Sequence, residues 1–317
     1  MEQLLFSINT TLPVVILILL GLFLAKIKVM DCQFTAALNR FAYNVTLPFL
    51  IYSNLSEVDI KSLWNIKYVL LCMAATVLCF FLSWVVSVFL VKNEKPLRGE
   101  FVQGSFRGSA ILLAFAFIQN IYGTVTVTSL MVLATVPLYN ILSVVILYMT
   151  QGQGSGKLPK EVWKGMLTNM IKNPIIIGIA VGMLGSALNP QFPYVIDKTI
   201  DTLASLMTPL ALLGLGASFE GRRAMGYFGL TWTATLLKLL IFPALFLPLA
   251  MGLGLQGEEM AAFLIMVGSP TSVSCYVMAR NTGHEGVLSS GMILVSTILG
   301  AFTLTFWVYI LRLLGCI

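Results

Sequence analysis

Long apolar runs separated by short polar breaks fill the chain from end to end. Ten runs can be marked, at roughly 6–27, 34–54, 64–91, 100–121, 124–150, 171–188, 194–218, 226–254, 258–280 and 287–314. Most reach the ~20 residues a helix needs to cross a bilayer core of ~30 Å. None shows the alternation of a membrane strand, which excludes a barrel. Backbone groups in hydrocarbon must be satisfied within the chain, so the runs predict ten transmembrane helices of an all-α integral membrane protein. The most polar stretch, QGQGSGKLPKEVWKG at 151–165, reads as a linker between two five-helix halves, 1–150 and 166–317. The segment 160–171 reads either as a short interfacial helix or as solvated linker.

Composition agrees with the pattern. The chain of 317 residues is 58% hydrophobic and 10% charged, against roughly 25% charged in soluble domains. Its mean hydropathy is +0.93. The net charge of +6 sits in short loops, which makes it a topology signal and not a nucleic-acid footprint. Loops on the side of the N-terminus hold Lys61, Lys67, Lys198 and Arg312. The opposite loops hold Lys26, Lys28, Lys92, Lys95, Arg98, Lys157, Lys160, Lys164, Lys172, Arg222, Arg223 and Arg280. The richer side is expected to be cytoplasmic, with the linker inside and both termini outside a cell membrane. No basic region precedes the first run, so it is read as a retained helix. Five scattered cysteines and one histidine argue against a metal site or a disulfide framework. No cofactor is expected.

A weak internal repeat relates the halves. LNRFAYNVTLPFLIYSNLS and IDTLASLMTPLALLGLGASF each carry a mid-span proline, Pro48 and Pro209, closely preceded by threonine. GEFVQGSFRGS and GEEMAAFLIMVGSP each open Gly-Glu and then turn small and polar at span depth. An odd number of helices per half makes the repeat inverted, the pattern of secondary transporters with a midplane substrate site.

Polar residues at membrane depth mark sites. Arg107, Gly108 and Ser109 interrupt the fourth segment, and Gly268, Ser269, Pro270, Thr271 and Ser272 interrupt the ninth. A broken helix frees backbone groups, and the N-terminus of its second half favours an anion. A single break reads better as a packing kink. Two in corresponding segments favour the site. Arg107 either snorkels to the inner surface or grips a carboxylate with its fork. Lys238 sits mid-span, with Asp201 the one plausible acidic partner, while Arg40 is placed to snorkel. Asn44 and Asn140 are mid-span amides, serving either as interhelical glue or as ligand contacts. The glutamates fall in loops or at helix ends, Glu100 among them, which gives a proton relay little support. His284 is expected in a solvated loop. A coupling sodium held by backbone carbonyls would leave no sequence trace.

Five stretches carry a resemblance: LNRFAYNVTLP (38–48), FRGSAILLAFAFIQNIYG (106–123), VPLYNILSVVIL (136–147), KNPIIIGIAVGM (172–183) and SPTSVSCYVMARNTG (269–283). With them the chain resembles, essentially end to end, the auxin efflux carrier family, in its shorter bacterial malate and malonate permease-like branch. The resemblance implies two inverted five-helix repeats similar to the bile-acid symporter and sodium/proton antiporter fold. It implies a scaffold of segments 1, 2, 6 and 7, a moving unit of segments 3–5 and 8–10, broken crossing helices 4 and 9, elevator-like motion and a homodimer. By position Ser109 corresponds to a family asparagine and Pro270 to the crossover proline of segment nine. Ala116 stands where the family usually has the fourth-segment proline.

These readings converge on a secondary transporter or facilitator for a small organic anion, a malate- or malonate-like carboxylate or an auxin-like acid. A ligand sensor on the same fold, without net flux, is the alternative, favoured by Ala116. A membrane protease would need a Ser–His pair, paired aspartates or HExxH, and the chain has none of these, so it is not read as an enzyme.

Overall fold

The computed structural model describes residues 16–56, 65–91, 94–109, 126–151, 174–188, 192–217 and 226–317, with isolated helical positions at 13, 114, 118 and 122. The linker beyond Gln151, the segment 160–171 and Ala116 lie outside the described residues.

Every element among the described residues is helical. The first group comprises α1 (Ile16–Lys26), α2 (Cys32–Phe41), α3 (Leu47–Ser56), α4 (Ile66–Leu90), α5 (Lys95–Phe106) and α6 (Thr126–Thr150). Then come α7 (Pro174–Leu188), α8 (Tyr194–Ser205), α9 (Met207–Ala217), α10 (Phe228–Leu236) and α11 (Phe242–Gly252). The chain ends with α12 (Gly257–Gly268), α13 (Ser274–Asn281) and α14 (Val287–Leu313). Five helical stretches among the described residues are long and apolar enough to cross a membrane: Ile66–Leu90, Leu130–Thr150, Tyr194–Ala217, Phe228–Gly252 and Val287–Leu313. The protein is a multi-pass membrane protein.

Helix α4 shows how lipid reverses the usual amphipathic rule. Asn65 starts it by accepting the Tyr68 N–H at 3.2 Å. Its buried side is mostly small or weakly polar, with Cys72, Ala75, Thr76, Cys79, Ser83 and Ser87 beside the larger Tyr68, Val69 and Phe80. Leu70, Leu78, Phe81, Val85 and Phe89 face outward. Small residues allow close helix approach where lipid offers no hydrophobic drive between helices.

Two π-helical turns interrupt longer rods. Ala42–Thr46 joins α2 to α3, and Leu237–Ile241 joins α10 to α11. A π-turn shifts the hydrogen-bond ladder and frees carbonyls. In the second, the Trp307 indole N–H takes up the Leu239 carbonyl at 2.9 Å. That turn also carries Lys238 into the interior, where it is 0% exposed.

The helices pack as two groups. Helices α1–α3 associate with α7–α9, α3 lying along α7 and α8, and α2 along α9. Gly21 on α1 lies against the Leu213 backbone of α9 and Gly216 on α9 against the Ile18 backbone of α1, and a side chain on either would collide with the facing carbonyl. Helices α4–α6 associate with α10–α14, with α5 wedged among α4, α6, α10 and α14. Helix α13 touches α2 and α9 from the second group.

Candidate functional site

Helices α5 and α12 run into the middle of the second group and stop there. Arg107 and Ser269, which follow them, are extended. The two breaks cross as an antiparallel bridge between Gly108 and Thr271. Ser109 N–H donates to the Pro270 carbonyl at 2.7 Å and Ser272 N–H to the Arg107 carbonyl at 3.3 Å. Thr271 locks the crossing further: its hydroxyl donates to the Gly104 carbonyl at 2.8 Å, and its N–H to the Ser296 hydroxyl at 3.0 Å. Gly108 is required by contact. A Cβ there would run into Ser269 Oγ and approach Lys238 Nζ to 3.0 Å.

Lys238 sits beneath this crossing. Its ammonium donates to the Phe106 carbonyl at 3.0 Å and to the Met266 carbonyl at 3.4 Å. These carbonyls belong to the last turns of α5 and α12, where the helix dipoles concentrate negative potential. One buried cation therefore serves two helix ends. The Tyr139 hydroxyl adds a second donor to the Met266 carbonyl at 3.1 Å.

On the other side of the crossing lies a cavity of about 110 Å³. One water occupies roughly 10–15 Å³ on this measure, so the space suits a small organic molecule. Arg107, Gly108, Ser109, Ser272, Val273 and Ser274 form one wall, with Val136, Tyr139 and Asn140 of α6 beside them. Leu47, Leu50, Ile51 and Asn54 of α3, with Met207 and Thr208 of α9, form the facing wall. The cavity thus lies between the two helix groups. Ser272 and Ser274 share a hydrogen bond of 2.8 Å between their hydroxyls at the start of α13.

Arg107 is 6% exposed. Its Nη2 donates to Asn140 Oδ1 at 2.9 Å, and its Nη1 reaches Met278 Sδ at 2.8 Å and Ser143 Oγ at 3.5 Å. Asn140 is oriented for this role, since its own Nδ2 donates to the Val136 carbonyl at 2.8 Å. No carboxylate among the described residues pairs with the guanidinium. Burying an ion without a counter-charge costs several kcal/mol. A cation held this way at a cavity wall has the chemistry to receive an anion, with its neutral partners already in place.

The site residues expected from sequence fall into three places. Arg107, Gly108, Ser109, Asn140 and Ser272 line the cavity. Ser269, Pro270 and Thr271 build the crossing behind it, with Pro270 packed on Gly300 and the Ser269 hydroxyl buried without a partner. Asn44 and Asp201 lie elsewhere. Asn44 is exposed and donates to the Arg40 carbonyl, and Asp201 accepts from Ser53. The suggested pairing of Lys238 with Asp201 is replaced by the two helix-end carbonyls.

Two expectations are corrected outright. His284 is not a solvated residue: it is 3% exposed, wedged between the Thr150 and Thr282 hydroxyls at 3.2 and 3.1 Å. Burial pushes its imidazole below the usual pKa, partly offset by the hydrogen bonding at Thr282. Glu100 is not in a loop or at a helix end either but lies within α5. It is 1% exposed and accepts from Gly286 N–H at 2.9 Å, Ser289 N–H at 2.9 Å and the Ser289 hydroxyl at 3.0 Å, capping α14 from another helix. The signal in sequence was a helix opening Gly-Val-Leu-Ser with no capping side chain of its own.

A family model described as membrane transport protein matches residues 6–308. The chain is 24% identical to the "Putative malonate transporter" of Rhizobium meliloti (strain 1021), over 95% of this chain and 94% of that protein. It is 21% identical to "Uncharacterized transporter YfdV" of Escherichia coli (strain K12), over 98% and 99%. An "Uncharacterized transporter" of Methanothermobacter thermautotrophicus is 22% identical over 96% and 98%.

Proposed function

The chain belongs to the membrane transport protein family, that of the auxin efflux carriers, and from that premise we propose that it carries a small organic carboxylate across the cell membrane. The observation that carries this reading is Arg107: a buried guanidinium with only neutral partners, facing a cavity between two helix groups. The malonate in the name of the Rhizobium meliloti relative supports a carboxylate as cargo.

The division of the cavity walls supports an elevator. Helices α1–α3 and α7–α9 act as a scaffold, and α4–α6 with α10–α14 carry the crossing and its bound anion past it. Lys238 ties the two half-helix ends into one body, so the crossing travels intact. The bias of Lys and Arg among the loops supports a cytoplasmic linker with both termini outside. The family resemblance supports a homodimer built on the scaffold.

The test is uptake of labelled malonate, malate and short monocarboxylates into liposomes of the purified protein, with and without sodium and proton gradients. Saturable uptake that is lost in Arg107→Gln is the expected result. Saturable binding without flux would instead make the protein a sensor. Uptake unchanged in Arg107→Gln would remove the anion site from this cavity.

A further inference from the structure

The charges around the cavity bear on which carboxylate it takes, an inference that rests on the transport reading above. Arg107 is the one cationic side chain lining the cavity among the described residues. Lys238 does not line it, and its ammonium is committed to the Phe106 and Met266 carbonyls. The neutral hydroxyls of Ser272 and Ser274 stand on the same wall as Arg107. Positive potential is therefore gathered at one end.

The facing wall is of another character. Leu47, Leu50, Ile51 and Met207 give it an apolar surface, and its polar groups, Asn54 and Thr208, are neutral. A carboxylate seated on Arg107 directs the rest of its molecule toward this wall. An alkyl chain gains by leaving water there. A second carboxylate would lose its hydration and meet no cation among the described residues of that wall.

We propose that the cavity selects singly charged, short-chain carboxylates with an apolar body over dicarboxylates such as malonate. The volume of about 110 Å³ holds about seven to eleven water-sized groups, on the scale of roughly 10–15 Å³ per water, which admits a carboxylate of about three to five carbons. Leu50 and Asn54 are the specificity-determining positions, because each presents an uncharged group where a dicarboxylate would need a cation.

The experiment is calorimetric titration of the purified full-length protein with propanoate, 3-methylbutanoate, malonate and succinate at fixed ionic strength and neutral pH. The expected result is 3-methylbutanoate binding at least ten-fold more tightly than malonate, with both signals lost in Arg107→Gln. Leu50→Lys should reverse the order, and Asn54→Lys, at a more polar position, is the second variant. Malonate binding more tightly than 3-methylbutanoate, still dependent on Arg107, would overturn the charge selection while leaving the carboxylate site standing. No binding by any of the four acids, or binding indifferent to Arg107→Gln, would overturn the site itself and the selection with it.

Discussion

At the scale of single residues, the site trades stability for readiness. Arg107 is buried beside Asn140, Ser143 and Met278, none of which neutralises it. Arg107→Gln removes the unpaired charge and keeps a hydrogen-bonding end. The ligand-free variant should melt no lower than the parent. The parent should gain about 2.7 kcal/mol from a carboxylate at a hundred times its Kd, and the variant should gain nothing. Thermal melts with and without the acid read both effects. His284 makes a second prediction. Its folded-state pKa lies below the unfolded value of about 6.5, so the unfolded chain takes up the proton first. Stability is therefore held above about pH 6.5 and lost as pH falls below it, by at most about 1.4 kcal/mol per pH unit. His284→Gln should flatten that slope in melts recorded from neutral to acid pH.

At the scale of elements, the capping of α14 by Glu100 joins two helices that are far apart in sequence. Glu100→Gln keeps the shape but removes the charge from a helix N-terminus and turns an amide toward donors. It should cost about 1–3 kcal/mol, seen as a lower melting temperature with anion affinity retained. The same element shows what sequence could and could not reveal. Apolar runs at 64–91, 226–254 and 287–314 end within about two residues of the helical stretches Ile66–Leu90, Phe228–Gly252 and Val287–Leu313, because a span must end where polar residues begin. The fourth run, marked from residue 100, missed the start of α5 at Lys95. A half-helix that ends at a crossing is freed from the length rule, and its first turns admit Arg98 and Glu100. The breaks at Arg107–Ser109 and Ser269–Ser272 were legible because glycine and proline mark freed backbone. The acceptors of Lys238 were not, since backbone carbonyls carry no residue identity. The π-turns left no pattern either.

At the scale of the molecule, hydrogen bonds join the two helix groups where α13 meets α2 and α9, and we propose that they form a seal on the cytoplasmic side of the cavity in the proposed orientation. The Tyr276 hydroxyl donates to the Gly214 carbonyl at 3.3 Å and accepts weakly from Asn39 Nδ2 at 3.5 Å. Asn281 Nδ2 donates to the Asn39 carbonyl at 3.2 Å. These bonds join one helix group to the other, so a sliding motion between the groups has to break them. The seal is not a deep well. Asn39 Oδ1 is buried in it with no partner, at a cost of about 1–3 kcal/mol. Tyr276→Phe removes the shared hydroxyl while keeping the ring's packing. A net hydrogen bond is worth about 1 kcal/mol, so the ratio of sealed to unsealed protein should fall about five-fold. Where leaving the sealed state limits the cycle, turnover in liposomes should rise by up to that factor, with little change in melting temperature. Unchanged turnover would mean that α13 keeps its place against α2 and α9 throughout, and that the anion moves without the two groups sliding at this contact.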